Sequence, residues 1–475
     1  MDDTALVVGS GPNGLAAALT LARAGLRVEV HEAAPALGGG LRTDELTLPG
    51  FRHDLCSAIH PMGQSSPFFR FAGLEVDWVS PPGFVAHPFD DGTVVVLPRD
   101  VDAVELGPDT RAYRRLVGPI VRAWEDVEPI LLGPFPPPLA KLRPALGLAG
   151  TARATLADAR SLVESTFATG RARAAFAGCA AHSILPLERR PSAGFGLALA
   201  VLGHVVGWGF PRGGAQALTE ALVAAVRAAG GKLRASSPVD ELPNELVLAD
   251  VMPDELRRIA RLPERYDRAL GRYRHGPGAF KLDWALDGPI PWRAQEVAET
   301  ATVHLGGTLD EISASEWGAW HGRPVERPFV ILAQHTLFDP SRAPAGKHTA
   351  WAYCHVPNGW RGDMTDAIES QVERFAPGFR DLVLARSAIS PADFEHRNRN
   401  LVGGDVNGGT MDLGQLLTRP VRRANPYRTP LPGVYLCSSA TPPGGGVHGM
   451  CGYSAALTAL RDGSTRGRPP RCPSP

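Results

Sequence analysis

Near the N-terminus, Gly9-Ser10-Gly11-Pro12-Asn13-Gly14 sets three glycines at the spacing G-x-G-x-x-G, and an acid, Glu32, follows eighteen residues later. Residues of these types can hold a dinucleotide. Gly9 permits a tight turn, Gly11 lets the backbone approach a diphosphate, and Gly14 permits close packing of helix on strand. The N-terminus of the helix that follows the turn presents unpaired N–H groups and a partial positive charge to the phosphates. Glu32 would accept hydrogen bonds from ribose hydroxyls and repel a 2′-phosphate, which disfavours NADP. Taken alone, such a spacing is only a glycine turn, so its value depends on the elements around it.

Those elements are legible. Ala5 to Val8 is a short apolar run suited to a buried parallel strand, and Leu15 to Ala24 is a strong helix former stopped by Gly25. Arg27 to His31 reads as a second strand ending at Glu32, which completes one βαβ unit. Further on, Ala152 to Val163 reads as a helix and Gly213 to Ala229 as an amphipathic helix closed by Gly230-Gly231, with Lys232 to Ala235 entering a strand. Ala279 to Leu286 and Thr349 to Val356 suit a sheet, and Gly433 to Leu460 holds a strand, a glycine-rich turn and an alanine-rich helix. Proline-rich stretches, including Pro136 to Pro138, punctuate the middle of the chain.

A second glycine cluster, Gly38-Gly39-Gly40-Leu41-Arg42-Thr43, follows the ribose acid, where an NAD dehydrogenase normally continues its strand–helix alternation. Glycines here allow close backbone approach, and Arg42 brings a forked set of donors to a diphosphate. This favours FAD over NAD. Glu32 with Gly39-Gly40-x-Arg42-Thr43 resembles the extended FAD motif of the amine oxidase and phytoene desaturase superfamily. The closing segment from Leu431 to Met450, followed by Cys-Gly-Tyr-Ser-Ala-Ala-Leu, is similar to the flavin-binding C-terminus of phytoene-dehydrogenase-like proteins. Leu337 to His348, Phe375 to Arg380 and Leu401 to Asp405 resemble the branch that contains pyridine nucleotide-disulphide oxidoreductase domain-containing protein 2. The resemblance implies that Gly9, Gly11, Gly14, Glu32, Gly40, Leu41, Arg42, Val239, Gly446, Val447 and Met450 line the cofactor, with Val239 on the strand after Gly230-Gly231. Pro12, Asn13 and Gly39 complete the predicted set. His448 stands where phytoene desaturases carry proline.

Oxidation of a C–H bond by a flavin asks the protein to position the carbon, exclude water and, where needed, take a proton. Three candidates follow. His60, in Ser57-Ala58-Ile59-His60-Pro61, would titrate near neutrality as a base, against the plainer reading of a histidine bonded to backbone. His448 could contact the flavin or serve the turn. Lys281 resembles lysines that reach flavin N5 through water in amine oxidases, against a surface salt bridge to Asp283. The uncharged run Pro191 to Phe210 approaches the length of a membrane span, but its five glycines and His204 favour a buried segment or tunnel wall. Trp284, Trp292, Trp317, Trp320 and Trp351 could wall such a tunnel or simply fill a core.

The expected fold is α/β: a Rossmann-type FAD-binding domain interleaved with a mixed-sheet and helical (α+β) substrate domain. Residues 1–70, 205–275 and 396–460 are assigned to the first, 71–204 and 276–395 to the second, and 461–475 to a disordered tail. With 49 basic and 49 acidic residues, no net field recruits nucleic acid. Six cysteines without a C-x-x-C pair fit neither a metal site nor a redox disulfide, and indicate a reducing, cytoplasmic compartment. A peripheral membrane contact and a homodimer stay open. The function expected is an FAD-dependent dehydrogenase or desaturase taking hydride from a lipophilic small molecule. The alternative is a flavin-binding protein with a mainly regulatory or interaction role.

Overall fold

The computed structural model describes residues 4–133 and 149–464. Twelve strands matter here: β1 (Thr4–Val8), β2 (Arg27–His31), β3 (Gly83–Pro88), β4 (Val94–Pro98), β5 (Lys232–Arg234), β6 (Leu246–Ala249), β7 (Gly278–Leu286), β8 (Thr302–Leu305), β9 (Val330–Ala333), β10 (His348–Val356), β11 (Val383–Ile389) and β12 (Val434–Leu436). The helices that bear on function are α1 (Pro12–Arg23), α2 (Thr110–Arg122), α3 (Ala149–Thr155), α4 (Ala159–Thr166), α5 (Gly170–Ala181), α6 (Ser192–Val205), α7 (Ala215–Ala228), α8 (Leu309–Trp320) and α9 (Met450–Ser464).

Five strands form a parallel sheet in the order β12-β6-β1-β2-β5, so the glycine turn leaves the central strand. Side chains alternate across a strand, and β1 divides accordingly. Ala5 and Val7 pack with α1, α7 and α9 on one face, while Leu6 and Val8 join Val247, Ala249, Leu256 and Ile259 on the other. Burial on both faces is why the run is apolar throughout rather than alternating. The five strands come from three separate stretches of chain.

The other seven strands form a mixed sheet in the order β11-β7-β10-β9-β8-β3-β4. One face, with Phe280, Leu282, Trp284, Ala350, Ala352, Val330, Leu332 and Val303, closes against Ile368, Val372 and Phe375 of the helix Thr365–Phe375. Near the opposite face, α2, α4, α5, α6 and α8 build an apolar layer that takes in Phe84, Phe329 and Ile331.

The structure corrects two expectations, a single helix from Ala152 and a tail starting at Arg461, and agrees with the buried reading of the run from Pro191. Ala152 to Val163 is not one helix: Asp158, extended at φ −81°, ψ 148°, accepts from the Ser161 N–H and caps a new one, so α3 ends at Thr155 and α4 starts at Ala159. The run from Pro191 yields only the fourteen-residue α6, about 21 Å long against a hydrocarbon core of about 30 Å. Among the described residues no helix is long and apolar enough to cross a membrane. Arg461 to Ser464 continue α9 rather than starting a tail. The remainder of the predicted tail, with Cys472, and Pro136 to Pro138 lie outside the described residues.

Candidate active site

At the end of β1, Gly9 turns at φ +94° and its N–H donates to the His31 carbonyl at 2.8 Å. Pro12 opens α1, where its missing N–H costs nothing, and the capping residue Gly11 offers no side-chain cap. A Cβ on Gly14 would stand 2.1 Å from the Gly9 carbonyl oxygen, so only glycine lets the helix seat on the turn. Glu32 braces the loop from β2. Its Oε2 accepts from the Ser10 N–H at 2.9 Å and the Ser10 hydroxyl at 2.6 Å, and its Oε1 accepts from the Ala34 N–H at 2.9 Å. The Ser10 hydroxyl in turn accepts from the Gly38 N–H at 3.0 Å.

That bond draws the second glycine cluster onto the first. A Cβ on Gly39 would lie 3.0 Å from the Gly11 Cα, and Arg42 Nε donates to the Gly39 carbonyl at 2.9 Å. The C-terminal turn closes over the same place, because a Cβ on Gly452 of α9 would lie 1.8 Å from the Asn13 carbonyl oxygen. Three segments far apart in sequence thus meet at the N-terminus of α1.

Together they wall one end of a cavity of about 1500 Å³. Gly9, Gly11, Pro12, Asn13, Glu32, Gly39, Gly40, Leu41, Arg42, Val239, Gly446 and Val447 all line it. Val239 does so from the loop beyond β5, not from a strand. Gly14 and Met450 are not on the lining; they pack helices. His448 is also off the lining and fully buried. Its Nδ1 accepts from the Met450 N–H at 3.0 Å, and burial lowers its pKa to about 4. The predicted catalytic histidine of the closing turn is therefore a neutral cap on α9.

Sequence reasoning missed Asp250. It follows β6 as Glu32 follows β2, and its Oδ2 accepts from the Gly14 N–H at 2.8 Å while the residue lines the cavity. The signal was available: Leu246-Val-Leu-Ala-Asp250 is an apolar strand ending in an acid. Burial, with the charge of Glu32 adding to it, raises the Asp250 pKa to about 7 against the opposing Gly14 hydrogen bond.

The far end of the cavity is floored by the mixed sheet. Register places Asp283, Trp351, Ala333 and Thr302 in one row and Lys281, Tyr353, Ile331 and His304 in the next. Lys281, Thr302, Ile331, Trp351 and Tyr353 line the cavity. Lys281, a catalytic candidate from the sequence, is 2% exposed, so the salt bridge weighed against that role forms with Asp283, two residues on and on the same strand face, but is buried rather than at the surface. Its ammonium lies 5.7 Å from the Trp351 ring centre. Burial raises the Asp283 pKa to about 6, with Lys281 opposing that rise. His60 also lines the cavity: its Nδ1 meets the Ser57 hydroxyl at 3.2 Å, and Nε2 has no partner among the described residues. Burial lowers its pKa to about 4, partly offset by Asp54, so it is neutral at pH 7 rather than titrating there.

A buried network fixes the segment that carries these groups. Arg342, 1% exposed, donates to Asp54 at 2.7 Å and to Asp339 at 3.2 Å, and Asp54 also accepts from Thr43 at 2.7 Å and from the Ala215 N–H at 2.8 Å. It joins the loop after Arg42 to α7 and to the approach of β10. The apolar wall is a helical stripe of α6: Gly194, Phe195, Ala198, Leu199 and Leu202. Of the five tryptophans considered, Trp351 lines the cavity; Trp208, not considered, does too. His182, also unforeseen, lines it and shares an Nε2···Nε2 hydrogen bond of 2.9 Å with the buried His304.

Residues 7–73 match the NAD(P)-binding Rossmann-like domain family. Over 96% of its length the chain is 27% identical to pyridine nucleotide-disulfide oxidoreductase domain-containing protein 2 of Rattus norvegicus, covering 93% of that protein. It is 28% identical to phytoene dehydrogenase of Streptomyces griseus, over 94% of this chain and 92% of that one. The fold matches a putrescine oxidase double mutant with a TM-score of 0.64 at 16% identity, covering 97% of this chain and 99% of the other. The chain thus carries a Rossmann-like dinucleotide turn, closed by a C-terminal helix above one shared cavity; it is similar over nearly its whole length to phytoene dehydrogenase and to pyridine nucleotide-disulfide oxidoreductase domain-containing protein 2, and shares its fold with putrescine oxidase.

Proposed function

We propose that the chain binds FAD and oxidises a lipophilic small molecule, with hydride passing from a substrate carbon to flavin N5. One observation carries this reading: a single cavity of about 1500 Å³ joins the glycine turns and Glu32 at one end to the α6 stripe and Lys281 at the other. That volume exceeds the roughly 300–1,000 Å³ typical of a single drug-sized ligand, and it accommodates a cofactor and a substrate in line.

The residues present fit such a cofactor. The N-cap residue of α1, Gly11, supplies no side-chain cap, Asn13 Oδ1 is buried without a partner among the described residues, and the three glycine segments approach one another as closely as backbone allows. Glu32 supports the ribose acceptor position, and Arg42 brings charge to the diphosphate. Bound FAD would supply the hydride acceptor. At the substrate end, Phe195, Leu199 and Leu202 exclude water and hold an apolar body. His60 Nε2, neutral and unpartnered, is available as a proton acceptor. The Lys281–Asp283 pair places a second proton-exchanging group on the sheet floor.

The purified protein is expected to be yellow and to release FAD, not NAD, on heating, as chromatography would show. Phytoene and putrescine, the substrates named for its relatives, serve as first probes in an anaerobic assay. A long-chain lipophilic substrate should bleach the flavin where putrescine does not. A colourless protein that cannot be loaded with FAD overturns the proposal.

A further inference from the structure

The glycine turn stands between two acids. Glu32 follows β2 and Asp250 follows β6, and these strands flank β1 on either side in the parallel sheet. A dinucleotide diphosphate is itself an anion, so a second carboxylate beside the turn is a physical contradiction unless its charge is removed.

The geometry places Asp250 where the diphosphate must come. A Cβ on Gly11 would lie 2.8 Å from Asp250 Oδ2, and Gly11 is the residue whose missing side chain lets a diphosphate approach the backbone. Oδ2 is occupied by the Gly14 N–H, which leaves Oδ1 to meet the cavity that Asp250 lines. The backbone around it is pinned: the Asp250 N–H donates to the Val8 carbonyl at 2.8 Å, and Asn400 donates to its carbonyl at 3.1 Å.

We propose that Asp250 carries a proton in the cofactor complex and donates a hydrogen bond from it to the diphosphate, so that cofactor binding takes up one proton. The inference rests on the dinucleotide reading of the cavity and adds a residue to it. The groups facing Asp250 agree with it. Glu32, from β2, adds negative charge; Cys437, beyond β12, and Cys451, on α9, are thiols that burial keeps protonated. Free of ligand, the Asp250 carboxyl has its pKa raised to about 7, so the proton is available near neutrality. An arriving diphosphate raises it further.

The test is FAD affinity of the full-length protein from pH 6 to 9, followed by flavin fluorescence. Affinity should be constant below about pH 7 and fall about tenfold per pH unit above it. Asp250→Asn keeps an acceptor for Gly14 and a permanent donor for the diphosphate, and should bind FAD with the wild-type low-pH affinity at every pH. Because that variant could misfold, calorimetry on the wild type in two buffers of different ionisation enthalpy provides an independent reading, with one proton expected to be taken up at pH 8. A wild-type affinity independent of pH, no proton uptake, or an unchanged slope in Asp250→Asn overturns this inference and leaves FAD binding intact. Failure to bind FAD at any pH overturns both readings.

Discussion

Asp54 and Asp250 are both buried carboxyls that accept a backbone N–H from the first turn of a helix, Asp54 from Ala215 of α7 and Asp250 from Gly14 of α1. Their ionisation goes in opposite directions. Burial would raise the Asp54 pKa, but the Arg342 guanidinium at 2.7 Å holds it well below the usual carboxylate range. Asp250 has Glu32 as its charged neighbour, and its pKa rises to about 7. Equal burial therefore does not decide charge; the counter-ion does. The substrate-end brace is an ionic lock, while the nucleotide-end acid is held ready for a ligand.

The contrast breaks most visibly at Arg342. Arg342→Met would leave Asp54 and Asp339 buried without their cation and should cost about 3–5 kcal/mol, read as a lowered thermal midpoint. Because Asp54 has a depressed pKa in the wild type, the stability it contributes is present above about pH 4 and is lost as pH falls through the folded-state value. The variant's deficit should accordingly shrink in acid. An Arg342→Met protein as stable as the parent at pH 7 would remove the distinction between the two aspartates.

Asp250→Asn should do the reverse and stabilise the cofactor-free protein. An acid whose folded pKa is raised destabilises progressively as pH climbs from about 4 to its folded value, and the full penalty is present above about 7. The gain is bounded by about 4 kcal/mol, smaller where cavity water reaches the group, and should vanish near pH 4. A gain of the same size at pH 4 and pH 8 would mean that ionisation is not its source.

Lys281→Met tests the substrate end without touching the nucleotide end. Substrate-dependent flavin reduction should slow by about 10²-fold while FAD affinity stays unchanged, and stopped-flow traces separate the two. Equal reduction rates would reassign the lysine to structure alone. Ser10→Ala sharpens the picture least: loss of the hydroxyl between Glu32 and Gly38 should weaken FAD binding about fivefold, the equivalent of about 1 kcal/mol, in a titration at pH 6.5.

What could be read from the sequence was local. β1, α1, β2 and α7 are each specified within a window of their own apolar period and stop signal; the two strands and α7 fall within two residues of expectation, while α1 begins three residues before the expected Leu15. The parts that escaped depend on pairing across long separations. Asp250 becomes a neighbour of Gly14 only because β6 lies beside β1, a pairing of residues 236 positions apart. For Lys281 the sequence left a catalytic role and a surface salt bridge open, because Lys281 and Asp283 alternate with apolar residues as on a sheet with one wet face; the mixed sheet is instead covered on both sides, and this polar face looks into a cavity. His448 carried the right residue type in the right turn, but the helix beginning two residues later claimed its nitrogen.

The parallel sheet draws its last strand, β12, and the helix that covers α1 from residues 434–464. During synthesis the first βαβ unit must therefore wait, with Ala16, Leu19 and their neighbours uncovered, until residues 434–464 have left the ribosome. The entropy of closing so long a loop grows only with the logarithm of its length, so the delay is one of order rather than of stability. Cofactor loading is consequently a late event, and a chain cut short before α9 would present a finished glycine turn with nothing to close it.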